Sequence, residues 1–517
     1  MTSTDPIWTA DVRTAAYEKP TADLTCDVCV VGAGIAGLTT AYQLAQSGQS
    51  VIVLDAKPRL ANGETAATTA HLASAIDDRF ARVKSVRGAD AVGLAYRSHR
   101  AAIDFIEGVT RTEGIECDFR RVDGFLFPHD AEGRELLAEE QKVCDEAAIP
   151  CERVSTMSFL QFRFGPALRF PDQGQFHPLK YLSGLAKASQ ARGVRFFANA
   201  RVEKVTGGSP AVVQVQNGPT VRAKAVVVAT NTPLNGGVFV NMRIAAYATY
   251  AIAARIPARP DAPALLWDTA DPYHYVRTQP IDAQSSWLIV GGEDHKTGQA
   301  EDQLDRWERL ESWARNRFPA VEEVKYRWDG EVFETPDGLG LIGPEPGSEN
   351  VFIVTGDSGM GMTHGTIAGL MLPDLIAGRP HPWAGLYAPN RLPLRAMGTM
   401  MTESLNMAGQ MRDWMTGSDV SEPGEIPRNG GAVVRRGLTK HAVHCRADGT
   451  LCELSAVCPH MGGIVRWNAA DETWDCPLHG SRFTAEGKLL HGPATDDLAP
   501  AGAELAAATV DDQAVPT

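Results

Sequence analysis

Four residues late in the chain pair a thiol with an imidazole. Cys458-Pro-His460 is followed, after 15 intervening residues, by Cys476-Pro-Leu-His479. Each pair sits in a Pro/Gly loop (AVCPHMGG and WDCPLHGSRF) after residues of strand character, so two loops can converge on one site. Two thiolates and two imidazoles suit a tetrahedral Zn²⁺ or a [2Fe–2S] centre with one iron held by histidines. Zinc spacings normally run Cys with Cys and His with His. Alternating Cys-His and Cys-His is a different pattern.

A second group of residues near the start could hold phosphates. In Asp27-Val-Cys-Val-Val-Gly32-Ala-Gly34-Ile-Ala-Gly37, Gly32 permits a tight turn, Gly34 lets backbone approach a pyrophosphate, and Gly37 lets helix pack on strand. The helix N-terminus beyond it offers free N–H groups and the positive end of a dipole. The next strand, Ser50-Val-Ile-Val-Leu-Asp55, ends in an acid 23 residues after Gly32, where a ribose hydroxyl would be bound. A lone glycine motif is weak evidence, but strand, turn, helix, strand and acid in order point to a dinucleotide.

The elements that must position these residues belong to a large α/β chain. Its 517 residues can bury several cores, and about three domains is the prior for such a length. A formal charge of −14 argues against a nucleic-acid or anionic-membrane surface. No stretch approaches the roughly 20 apolar residues of a membrane span. Nine cysteines, an odd number, are too few for a disulfide framework, so a cytoplasmic, reducing compartment is expected. Residues 1–23 read as a surface arm, and residues 221–230, 247–257 and 286–294 as strands. Leu394–Met415 reads as a linker helix whose methionines pack between domains.

Two further segments favour a flavin. Val226-Val-Val-Ala-Thr230-Asn-Thr-Pro233 ends a strand at a small polar turn, and Gly356-Asp357-Ser-Gly359-Met360-Gly361-Met362-Thr363 links a strand to a helix with glycines that admit a ring and ribityl chain. Together with ETPDGLGLIGP (334–344), these stretches resemble the glycine and D-amino-acid oxidase superfamily of FAD-dependent oxidoreductases. The C-terminal ligand pattern resembles the Rieske family, from about Ala432 to Ala501.

The resemblance implies a Rossmann-like FAD domain (24–80, 170–235 and 335–380), with an antiparallel-sheet substrate domain (81–169 and 236–334). A linker (381–428), an all-β Rieske domain (429–502) and a disordered tail (503–517) would follow. It adds Thr68, Thr69, His71 and Val202 to the flavin contacts, with His71 in a segment where some relatives attach flavin covalently. On the substrate side it points to Tyr250 above the flavin. Tyr275 and Arg277 share one strand face, where the guanidinium is positioned to hold a carboxylate. Respiratory Rieske proteins join the two ligand loops by a disulfide, but Gly463 and Leu478 stand at those positions here, and Phe483 replaces a tyrosine near a ligand sulfur. A midpoint in the lower part of the Rieske range follows.

A flavin takes a hydride and a Rieske centre takes single electrons. The pairing therefore implies a dehydrogenase that oxidises an amine or amino acid at its C–N bond and passes electrons through the cluster to an unidentified acceptor. Two other readings stand beside it. A reductase feeding a partner oxygenase would need a pyridine-nucleotide site, and no second GxGxxG occurs in strand–helix context. A redox sensor would need a basic effector surface or regulatory helix, and neither is evident.

Overall fold

The computed structural model describes residues 4–234, 238–258, 263–392 and 394–501. The expected tail, 503–517, lies outside the described residues. The order of strands follows from burial. Val51–Leu54 and Val351–Thr355 are buried throughout, as central parallel strands covered on both faces must be. They join an eight-stranded sheet in which Leu24–Val31 pairs in parallel with Val51–Leu54 on one side and Thr220–Asn231 on the other. Arg195–Phe197 extends the parallel run beyond Val51–Leu54, and Val351–Thr355 lies beside Thr220–Asn231. Helices Ile35–Gln46 and Gly361–Ile376 cross at close range. A Cβ on Gly369 would sit 2.4 Å from Thr39 Cγ2, so only glycine permits this approach.

A nine-stranded sheet stands beside the first. Its path runs Val324–Glu334, Ala245–Pro257, Ser285–Lys296, His274–Pro280, Ala264–Asp268, Arg120–Phe127, Ala167–Gln175 and His71–Leu72, with Glu152–Val154 on Ala167–Gln175. All pairs are antiparallel except Ala264–Asp268 with Arg120–Phe127. Residues 71–72 and 170–175, grouped by sequence with the flavin stretches, therefore hydrogen-bond into this sheet. Their pairing partners lie about fifty or more residues away in the chain, a relation that local patterning does not display.

The C-terminal part is built of a three-stranded and a four-stranded antiparallel sheet around its own core, which includes Trp474 and Phe483. Two expectations need correction. The N-terminal arm is not confined to the surface: Ile7 and Trp8 are buried, and the Trp8 indole donates to Thr68 O at 2.6 Å. The linker is helical over Leu394–Met415, but as a 3₁₀ turn, the α-helix Met397–Gln410 and a second 3₁₀ segment. Among the described side chains, its methionines do not form a buried stripe. Met407 packs on the C-terminal core, whereas Met401 and Met415 are exposed.

Candidate functional site

The glycine turn is folded by its own chemistry. Gly32 has φ +100°, and a Cβ there would lie 2.3 Å from Ala229 O on the adjacent strand. A Cβ on Gly37 would meet Gly32 O at 1.9 Å, so this residue serves helix–strand packing. Gly34 caps helix Ile35–Gln46, and the Thr65 hydroxyl accepts from Ile35 N at 3.2 Å, beside the helix end. Asp55 accepts from Ala33 N at 2.7 Å and Lys57 N at 2.8 Å, and its burial raises its pKa.

A cavity runs along this turn. It is lined by Gly32, Gly34 and Asp55, by Thr68, Val202 and Thr230, and by Asp357, Gly359, Gly361 and Met362. The N-terminal ends of Ile35–Gln46 and Gly361–Ile376 both border it. These groups fit a flavin dinucleotide: glycine surfaces for close backbone approach, two helix N-termini for anionic oxygens, and a buried Asp357 Oδ1 with no protein partner. Sequence reasoning passed over Glu64, Thr65, Asn231 and Glu331, which also line the cavity.

Six expected contacts lie elsewhere, among them Gly37 in the helix–strand packing and Met360. Gly356 is a turn residue (φ +67°) packed on Thr335, and Thr363 shares a hydrogen bond with His99 Nδ1 at 2.7 Å. Neither they nor Thr69 line the cavity. His71 lines a smaller, adjoining cavity with Met360. Its ring nitrogens face Thr69 Oγ1 at 3.1 Å and Val276 O at 3.3 Å, and burial lowers its pKa to about 3, so the ring is neutral.

The adjoining cavity shares Thr249, Val332 and Gly359 with the first and adds Asp77, Trp267, Tyr273, Tyr275, Asp294 and Glu334. Tyr275 is the one expected substrate residue that faces it, sharing a hydrogen bond with Thr249 Oγ1 at 2.9 Å. Tyr250 is a correction. It is fully buried on the opposite side of its strand, where its hydroxyl meets His295 Nε2 at 3.0 Å and its ring packs on Trp307. Side chains alternate along a strand, so the preceding residue, Thr249, is the one that points into the cavity. Arg277 is a second correction. It is completely buried, and its guanidinium donates to Ala70 O at 2.7 Å, Phe176 O at 3.1 Å and Gln279 Oε1 at 2.5 Å above the Trp8 ring. With its Nη1 and Nη2 donors held by the protein's own oxygens, it lines neither cavity.

The two Cys-His loops close in the same way. Cys458 N donates to Gly463 O and Cys476 N to Ser481 O, each at 2.8 Å, and Gly462 N and Gly480 N return to the carbonyls of Cys458 and Cys476 at 3.0 Å. This double closure brings the buried thiols of Cys458 and Cys476 together and sets the rings of His460 and His479 with centroids 5.0 Å apart at 81°. His479 is 4% exposed, yet neither ring nitrogen has a partner, and burial lowers both imidazoles to about 4. Two neutral imidazoles, that of His479 unpaired, beside two sulfurs fit an iron pair. A Cβ on Gly463 would meet Leu478 Cδ1 at 2.7 Å, so an apolar contact joins the two loops.

Residues 27–375 match the DAO family, FAD dependent oxidoreductase, and residues 418–502 match the Rieske [2Fe-2S] domain. The chain belongs to the DAO family. Its first part binds FAD and its C-terminal domain binds a [2Fe–2S] cluster. YhfW of Bacillus subtilis (strain 168), named for a Rieske 2Fe-2S iron-sulfur centre, is 26% identical over 495 residues, covering 95% of this chain and 96% of its own length. Gamma-glutamylputrescine oxidoreductase of Escherichia coli (strain K12) is 27% identical over 383 residues, 70% of this chain and 86% of its own. Glycine oxidase from Geobacillus kaustophilus has the same fold with a TM-score of 0.59 at 17% identity, over 71% of this chain and 99% of its own. Among the described residues, no helix of this DAO-family protein is long and apolar enough to cross a membrane.

The Rieske domain sits against the flavin cavity of the same chain. Leu490, His491, Gly492 and Ala494 line that cavity together with Gly32 and Gly34. Lys57 Nζ donates to Leu490 O and Arg201 Nη2 to Leu489 O, each at 3.1 Å, while His491 Nδ1 lies 3.0 Å from Glu64 Oε1. The buried Arg482 reaches across to Asp329 at 2.5 Å and holds Asp471 and Asp475 within its own domain. The ligand loops take part: Gln299 donates to Pro477 O at 3.0 Å, and the Asn241 amide lies 3.4 Å from His460 Nε2.

Proposed function

We propose that this protein is a dehydrogenase that oxidises an amine or amino acid at a C–N bond and passes the electrons to its own Rieske cluster. One observation carries the reading: the segment 490–494 of the Rieske domain lines the same cavity as the dinucleotide turn. FAD, when bound, accepts two electrons as a hydride, and the [2Fe–2S] centre accepts one. Gly32, Gly34 and the two helix ends would hold the dinucleotide, and Cys458, His460, Cys476 and His479 the cluster.

The chain's own part is to bind and deprotonate the substrate. Tyr273 donates to Asp77 Oδ2 at 2.5 Å, and burial pushes the Asp77 carboxyl up to about 7. Asp77 is thus poised to take a proton from an ammonium near neutrality, which leaves the nitrogen lone pair free to assist hydride departure. Thr249 and Tyr275 hydroxyls orient the substrate from the facing strands. The named substrate of the Escherichia coli relative is itself an amine, which supports the C–N class. All nine cysteines are free, in keeping with a reducing compartment, and the cytoplasm is the proposed location. Anaerobic spectra of the holoenzyme with amines, amino acids, NADH and NADPH test the reading. Bleaching of the flavin by an amine or amino acid is expected, and bleaching by pyridine nucleotides alone would replace the dehydrogenase with a reductase.

A further inference from the structure

The cavity beside the flavin site is walled by more carboxyl groups than a simple amino acid could answer. Asp77, Asp294 and Glu334 line it, and neither lysine nor arginine does. Its histidine, His71, is neutral. Asp294 Oδ1 is buried without a hydrogen-bond partner, so one acceptor in this wall awaits a donor from outside the protein. The remaining wall is aromatic: Trp267, Tyr273 and Tyr275, the two tyrosine rings with centroids 5.4 Å apart. Carboxylates set among aromatic faces form the surroundings that bind organic ammonium groups.

The approach has the same character. Asp77, Asp294, Glu334, Trp267 and Tyr273 also line an open vestibule, where Asp and Glu outnumber Arg by about three to one and no lysine faces the space. Part of that charge is answered within the protein. Arg82 lies 3.7 Å from Asp78, and His274 lies 3.1 Å from Asp268 and 3.7 Å from Glu293. Glu334, exposed to the vestibule, has no such partner among the ion pairs of the described residues. The arginine that would bind an amino-acid carboxylate, Arg277, is turned into the core.

We infer that the substrate is a dicationic amine, a diamine or aminoalkyl amine with no carboxylate near the reacting carbon, held by Asp77, Asp294 and Glu334 against Tyr273 and Tyr275. This rests on the proposed C–N oxidation and narrows it. One ammonium occupies the end next to Thr249 and Gly359, where the pocket opens to the flavin cavity, and the second faces Asp294 and Glu334. A neutral or zwitterionic substrate would leave these carboxyl groups unanswered, whereas a dication gives each end of the pocket a partner.

The test compares 1,4-diaminobutane, butylamine and a set of amino acids as anaerobic reductants of the holoenzyme flavin, with Kd measured by titration of the oxidised protein. The diamine should bind at least about tenfold more tightly than butylamine, and the amino acids more weakly still. Asp294→Asn and Glu334→Gln should each weaken diamine binding about tenfold and leave the butylamine Kd within about twofold. Stronger reduction by an amino acid, or equal affinity for diamine and monoamine, would overturn the dication while C–N oxidation stood. Failure of every amine and amino acid to reduce the flavin would overturn both.

Discussion

Burial decides what each residue can do in this molecule. Asp77 and Asp294 sit in a low-dielectric pocket that pushes their carboxyls up to about 7 and about 6. Asp77 faces Tyr273, Asp78 and Arg79, and Asp294 faces Thr249, Glu293, His274 and Arg306. Glu334, beside them, is pushed up to about 8 by burial and by Asp78, Asp294 and Asp77. These acids lose charge as pH falls, so kcat/KM for a cationic amine should decline below about pH 8. A flat profile from pH 5 to 8 would argue against a carboxylate role. Arg277 behaves oppositely, as a structural cation. Replacing it by Ala would orphan the carbonyls of Ala70 and Phe176 and should cost at least about 3 kcal/mol, visible as a lower Tm. At the cluster, Phe483 supplies no hydroxyl, and Gly463 meets Leu478 by an apolar contact. Electrochemistry should place the midpoint in the lower part of the span from about −150 to +300 mV, and Phe483→Tyr should raise it. A value near the top would contradict the reading.

At the scale of elements, how well the sequence could be read depended on how local the cause was. The dinucleotide turn and the two Cys-His loops are specified by neighbours a few positions apart, and their residue types alone announce the chemistry. Strand Ala245–Pro257 was legible as a strand, but which of Thr249 and Tyr250 faces the cavity depends on register against Ser285–Lys296 and Val324–Glu334. Alternation turns a one-residue error into the wrong side of the sheet. Arg277 was opaque for a related reason, since its partners come from residues 8, 70 and 176, far along the chain. Close packing carries its own test. Gly291 lies under Tyr275, with a Cβ there only 2.1 Å from the ring, so Gly291→Ala should displace the tyrosine and lower kcat/KM about tenfold with little change in Tm. By contrast, Gly369→Val would force apart helices Ile35–Gln46 and Gly361–Ile376 and should cost about 1–3 kcal/mol.

As a whole, the molecule joins two redox sites through one seam. Arg482, Lys57, Arg201 and His491 tie the Rieske domain to the flavin side, and the ligand loops lie against that same surface. The decisive measurement is EPR on iron-replete holoenzyme frozen at intervals after anaerobic mixing with a reducing amine. The signal of the reduced cluster should rise within the turnover time towards about one spin per chain. A centre that stays EPR-silent while substrate is consumed at the full rate would contradict electron flow through it.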